Sequence, residues 1–419
     1  MGDISAILIS ILLCLLLWFS PTLRKDKSTY IIIWAGFLVH FAVAAYNGFV
    51  GPTIGADSDA LAFLREGMQI AKSKNMRFAL GSESYRNFLG LMFYLFEPST
   101  FLACILSVLA YIVSVFPLIY LLEKLKLKAF MPHIIFIYSF FPSMILFGSV
   151  PLRESFQVCY CILMTKFILQ FHIEKKIRYL FFSSLFAFLM GTLHFGLMAF
   201  AAIVLICSMF ISINLPKTPF IFSKSRITLI ILMIMNLGYL AIVLPDINNL
   251  GFITRVVQGE SITEYTDTYR GNLVEKKPRS GYEIELDTSS PFNLLISVST
   301  MLLYYLAYPF PWKISAVIDI YASGEALFRV CLIYYSIKGW FISVGEVKKI
   351  IFFLLIIYFA NAAIWAMGTS NFGTGMRHNL THFWIICITG VPYLVLSIRQ
   401  FAKKYLLPNK DLKIDVHLA

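Results

Sequence analysis

What most limits the fold of this chain is a recurring apolar run, each close to the roughly 20 residues a helix needs to cross a bilayer, parted by short basic clusters. Such runs occupy residues 4–21, 29–46, 99–122, 129–148, 153–171, 179–195, 196–214, 227–244, 320–341, 350–368 and 380–398, about eleven crossings. Backbone inside lipid has to satisfy its own hydrogen bonds, so spans of this length and composition are expected to be helices. Of the 419 residues 59% are hydrophobic and only 14% charged, against about a quarter charged in soluble domains. The expected fold class is all-α: a polytopic transmembrane helical bundle forming one integral domain over residues 1–419.

Orientation follows from the basic residues. If the runs alternate in direction, Arg24/Lys25/Lys27, Lys124/Lys126/Lys128, Lys175/Lys176/Arg178, Lys217/Lys224/Arg226, Lys348/Lys349 and Arg399/Lys403/Lys404 all fall on one side. An excess of Lys and Arg marks the cytoplasmic side, so the N-terminus is expected outside and the C-terminus in the cytoplasm. These clusters also account for the net charge of +12 without any nucleic-acid partner; the expected surroundings are a lipid bilayer. The run from Ile4 to Phe19 has its positive charges after it and no small-residue cleavage site, so it reads as a first span and not as a cleaved signal. All seven cysteines lie in apolar stretches with no CxxC spacing, and neither disulfides nor a zinc site are expected.

Two stretches resist the threading. Residues 87–96 are too short to cross, and counting 292–312 as a crossing would reverse every later loop. Both are expected as re-entrant or interfacial helices on the outer side, where protein or a water-filled cavity covers their backbone. The outer face then receives a first loop, 47–97, with interfacial helices; a large polar loop, 245–291, with eight acidic and five basic residues; and the short turn 369–379.

Ionisable groups at membrane ends are costly and mark pathways or sites. Five clusters share the outer face. In "GPTIGADSDALAFLREG", Asp59 reads equally as a helix cap, whereas Asp57 is a carboxylate offered to a cavity as general base or hydroxyl partner. Arg86, just before the short 87–96 stretch, joins the substrate-binding set. In "SVPLRESFQ", Pro151 and Glu154 are ordinary at a helix start, but Arg153 opposes the dipole; a phosphate at that helix N-terminus would explain it. His194 in "MGTLHFGLMAF" reads either as a hydrogen-bonded structural residue or as part of the site. Trp312 lies in an aromatic and proline corner, as a belt residue or a sugar-stacking ring, with Glu325 and Arg329 deeper. In "TSNFGTGMRHNLTHF", Gly373 and Gly375 are expected to make a tight turn delivering Arg377 and His378 into the last span. There they read as a snorkelling pair or as an anion nest for a diphosphate.

The acidic first outer loop, "RESF" opening a helix, the basic "EKKIRY" turn and the span ending in "LHFGLMAF" together resemble polytopic bacterial polysaccharide polymerases of the EpsG and Wzy type. "NFGTGMRH" resembles a late arginine turn of the broader GT-C-like membrane glycosyltransferases. The resemblance implies a GT-C-like bundle in a bacterial inner membrane, with its active site facing the periplasm. It also implies an O-antigen, capsule or exopolysaccharide repeat-unit polymerase using undecaprenyl-diphosphate-linked oligosaccharides. A chain-length regulator protein is the further partner it admits.

The expected catalytic set is Asp57, Arg153, Glu154 and Arg377; the expected substrate-binding set is Asp59, Arg86, His194, Trp312 and His378. No metal and no cofactor is expected. The two arginines would stabilise charge on a leaving diphosphate, and Asp57, or else Glu154 or His194, would take the acceptor's proton. Two other functions compete: a GT-C transferase using a polyprenyl-monophosphate sugar donor, and a lipid-linked oligosaccharide flippase.

Overall fold

The computed structural model describes residues 1–53, 58–77, 79–174, 176–210, 279–282, 284, 287 and 289–405. In chain order the helices are α1 (Gly2–Phe19), α2 (Pro21–Arg24), α3 (Lys27–Phe49), α4 (Ser58–Ser73), α5 (Ser82–Phe96), α6 (Thr100–Lys124), α7 (Met131–Phe140) and α8 (Pro142–Phe147). They continue with α9 (Glu154–Glu174), α10 (Arg178–Leu193), α11 (Phe195–Phe210), α12 (Pro291–Ala307), α13 (Val317–Ile342), α14 (Gly345–Gly368) and α15 (Phe372–Tyr405). Among the described residues there is no strand, only an antiparallel bridge between Gly281 and Asn371. The expected span 227–244 and most of the loop 245–291 lie outside the described residues.

Among the described residues six helices are long and apolar enough to cross a membrane: α1, α3, α6, α9, α14 and the Phe372–Ala402 part of α15. Their surfaces say the same. Leu8, Leu12, Leu15, Trp18 and Phe19 of α1 are exposed, a face that would be a liability in water and is the lipid side in a bilayer. α6 lies at the centre, 83% buried over its most apolar stretch, with α3 and α9 against it. α13 is as long as a span but carries Asp319, Glu325, Arg329 and Lys338.

The run 129–148, expected as one crossing, is broken. Pro142 has no N–H and disfavours helical geometry in the residue before it, and Phe141 is extended at φ −61°, ψ 123°. The break leaves the first amides of α8 without helical acceptors. Glu325 of α13 takes one of them, its Oε1 accepting from the Ser143 N–H at 2.6 Å.

The short stretch 87–96 belongs to α5, which pairs with α4 as a hairpin. Phe63 and Leu64 of α4 and Tyr85, Leu89 and Phe93 of α5 are buried at helical spacing. Gly90 lets the two helices meet, since a Cβ there would stand 2.5 Å from Ile70 Cγ2. The hairpin is tied to the bundle where the Gly81 N–H donates to the Thr192 carbonyl near the end of α10, at 2.7 Å.

The glycine turn expected before Arg377 does not form. Neither Gly373 nor Gly375 has positive φ, and α15 already starts at Phe372, with Asn371 Oδ1 accepting the Thr374 N–H at 2.8 Å. An asparagine before the first turn is a strong helix start and overrides the glycines.

Candidate charged site at the head of the bundle

Two chain segments far from it in sequence converge on Arg377. It sits in the second turn of α15, where its Nε and Nη2 donate to Glu154 Oε1 at 3.1 and 2.7 Å, and its Nη1 donates to Asp59 Oδ2 at 2.6 Å. The Glu154 side chain is 1% exposed, Arg377 13% and Asp59 56%. Glu154 opens α9, so its carboxylate also meets the positive end of that helix. Asp59 opens α4 and approaches from the solvent side.

Arg153 directly precedes α9. Its Nη1 donates to the Leu193 carbonyl at 2.8 Å, one of the acceptors that the last turn of α10 leaves unused. That explains in part why an arginine stands at a helix N-terminus: it closes the C-terminus of the neighbouring helix. Its Nε is buried without a hydrogen bond, as is Glu154 Oε2. Arg153 lies within electrostatic reach of Glu154, Arg377, Asp59 and Arg86. Arg86, on α5, pairs with Glu66 of α4 at 2.7 Å.

An aromatic group flanks these charges. The His378 ring stacks on Trp365 of α14 at 3.7 Å and 21°, and His194 lies 4.4 Å from the same indole. The two imidazoles are 6.0 Å apart. His194 Nδ1 accepts from the Gly196 N–H at 3.1 Å, and His378 Nδ1 is 3.2 Å from the Thr369 hydroxyl.

The structure thus brings together Asp59, Arg86, Arg153, Glu154, His194, Arg377 and His378. Asp57 lies outside the described residues. Trp312 is not part of the group: it is 76% exposed and stacks on Phe310 at 5.0 Å, because the turn Pro311–Lys313 carries it outward. Arg377, expected to face a phosphate, here faces two carboxylates. Sequence reasoning missed Glu66 and Trp365. Trp365 looks like one more apolar residue in its span, and only its indole N–H, buried without a partner, sets it apart.

Chemically, Arg377 is held between the buried carboxylate of Glu154 and the exposed one of Asp59, with Arg153 within electrostatic reach and bonded to the Leu193 carbonyl. A forked guanidinium donor matches phosphate or carboxylate oxygens, and here the two carboxylates already balance the two arginines. No family model matches the chain, and neither the curated proteins nor the solved structures contain a match to it.

Proposed function

We propose that the chain is a glycosyltransferase that polymerises undecaprenyl-diphosphate-linked oligosaccharide repeat units at the periplasmic face of a bacterial inner membrane. One observation carries the reading: Arg377 is clamped by buried Glu154 while its third nitrogen rests on exposed Asp59, with Arg153, whose Nε is buried and unbonded, within electrostatic reach. The group is built on helix ends at one end of the bundle, and the sequence resemblance to repeat-unit polymerases points the same way.

In this reaction the acceptor's sugar hydroxyl attacks the anomeric carbon of the donor. The bond from that carbon to the diphosphate oxygen breaks, and the hydroxyl proton passes to a carboxylate of the first outer loop, Asp57. Glu154 holds Arg377 in place. The diphosphate takes the Nη1 that Asp59 occupies in the free enzyme, and Arg153 meets its other side. Preorganised cations acting on developing charge are worth about 3–4 kcal/mol per donor removed. His194, His378 and Arg86 line the approach of the sugars.

The test is reconstitution with lipid-linked repeat units. The wild type should build a ladder of products, and Arg153→Ala and Arg377→Ala should each abolish it at normal membrane levels. Long chains from either variant would remove that arginine from the reaction. Addition of a single sugar from a polyprenyl monophosphate, or movement of substrate across vesicles without lengthening, would replace the polymerase reading.

A further inference from the structure

The imidazoles of His194 and His378 each have one nitrogen committed inside the protein, and that commitment fixes where the ring proton lies. His194 follows α10 with extended backbone, φ −162° and ψ 127°, and stands immediately before α11. There its Nδ1 accepts the Gly196 N–H at 3.1 Å, serving the first turn of α11 as a side-chain oxygen would at a helix start. A backbone N–H only donates, so His194 Nδ1 carries no proton, and in the neutral ring the hydrogen is on Nε2.

His378 reaches the same state by another route. Its Nδ1 lies 3.2 Å from the Thr369 hydroxyl. Thr369 is 1% exposed, and this imidazole is the one hydrogen-bond partner of its hydroxyl among the described residues. A proton on Nδ1 would leave the buried hydroxyl hydrogen without an acceptor, which is costly. Thr369 therefore donates, and His378 too carries its proton on Nε2.

Both rings are half-buried and lie 6.0 Å apart against Trp365, His378 at 3.7 Å and His194 at 4.4 Å. No hydrogen bond within the described residues uses either Nε2. The backbone ties both rings to the charged site: His378 follows Arg377, and His194 follows Leu193, whose carbonyl takes Arg153 Nη1 at 2.8 Å. We infer that His194 and His378 are neutral hydrogen-bond donors, through Nε2–H, to oxygen atoms of the donor sugar beside its diphosphate, with Thr369 and Trp365 as positioning residues. With Nδ1 engaged and Nε2 already protonated, neither ring takes the acceptor's proton, which is left to a carboxylate. The ligand in this inference rests on the glycosyl-transfer reading; the proton positions do not.

The experiment uses the full chain, labelled with nitrogen-15 histidine, in detergent micelles. Long-range proton–nitrogen correlations report the tautomer of each ring, and His194→Gln and His378→Gln assign the two signals. Both rings should be Nε2–H. Thr369→Val should move His378 toward Nδ1–H and leave His194 as it is, and Thr369→Ser should restore the wild-type pattern. An Nδ1–H or doubly protonated ring at either position, or an unchanged His378 in Thr369→Val, would overturn the assignment. In reconstitution with lipid-linked repeat units, His378→Leu should slow ladder growth about tenfold, the worth of one hydrogen bond. His378→Gln, which keeps an N–H donor, should slow it less. Loss of a general base costs about 10²–10⁴-fold, so a fall of that size in both variants would overturn the donor role. No ladder from the wild type, with both tautomers as stated, would remove the sugar from the inference together with the glycosyl-transfer reading.

Discussion

Glu154 and Asp59 hold the same guanidinium, yet the two carboxylates differ in what their loss should cost. Glu154 is 1% exposed and Asp59 56%. Breaking a buried pair leaves an uncompensated charge, so Glu154→Gln should destabilise the detergent-solubilised protein by about 3–5 kcal/mol. Asp59→Asn removes a solvent-screened contact and should cost about 0–1 kcal/mol. Thermal or denaturant unfolding of the two variants checks the order, and equal losses would mean that Asp59 supports the fold as much as Glu154 does. The residue types at this site were legible before the structure, but their pairing was not. Arg377 and its partners are separated by 223 and 318 residues, and nothing local to "GMRHN" says that its arginine will meet carboxylates instead of water. Arg153 is similar: its placement stood out, whereas the carbonyl it closes belongs to another helix.

At the scale of the element, apolar runs marked the helices well, because length and composition settle what lipid permits. Their ends were harder to read. The run 129–148 hides a break, since the residues around Pro142 are mostly apolar, Ser139 and Ser143 apart, and hydropathy does not register a missing N–H. The start of α15 came earlier than two glycines implied, because the Asn371 side chain satisfies the first turn. Packing between helices adds a further test. Gly390 of α15 faces α13 so closely that a Cβ would stand 2.4 Å from the Leu332 carbonyl oxygen. Gly390→Ala should therefore cost about 1–3 kcal/mol through overpacking. An unchanged unfolding midpoint would show that the two helices separate freely at that level.

For the molecule as a whole, the ends of α14 and α15 set the two faces. Asp59 and Trp312 lie at the end that carries the charged site, and Lys349 lies at the start of α14, a helix length away. In a background without native cysteines, Asp59→Cys and Trp312→Cys should react with a membrane-impermeant maleimide from one side of sealed vesicles. Lys349→Cys should react only from the other side. Labelling of all three from one side would undo the threading of the chain. The convergence on Arg377 also bears on how the protein is made. Glu154 enters the bilayer with α9, whereas the arginine that answers it arrives more than two hundred residues later. During synthesis the insertion machinery must shelter an unanswered carboxylate until the final helix is threaded. Chains interrupted before residue 372 should accordingly be the ones that membrane quality control removes.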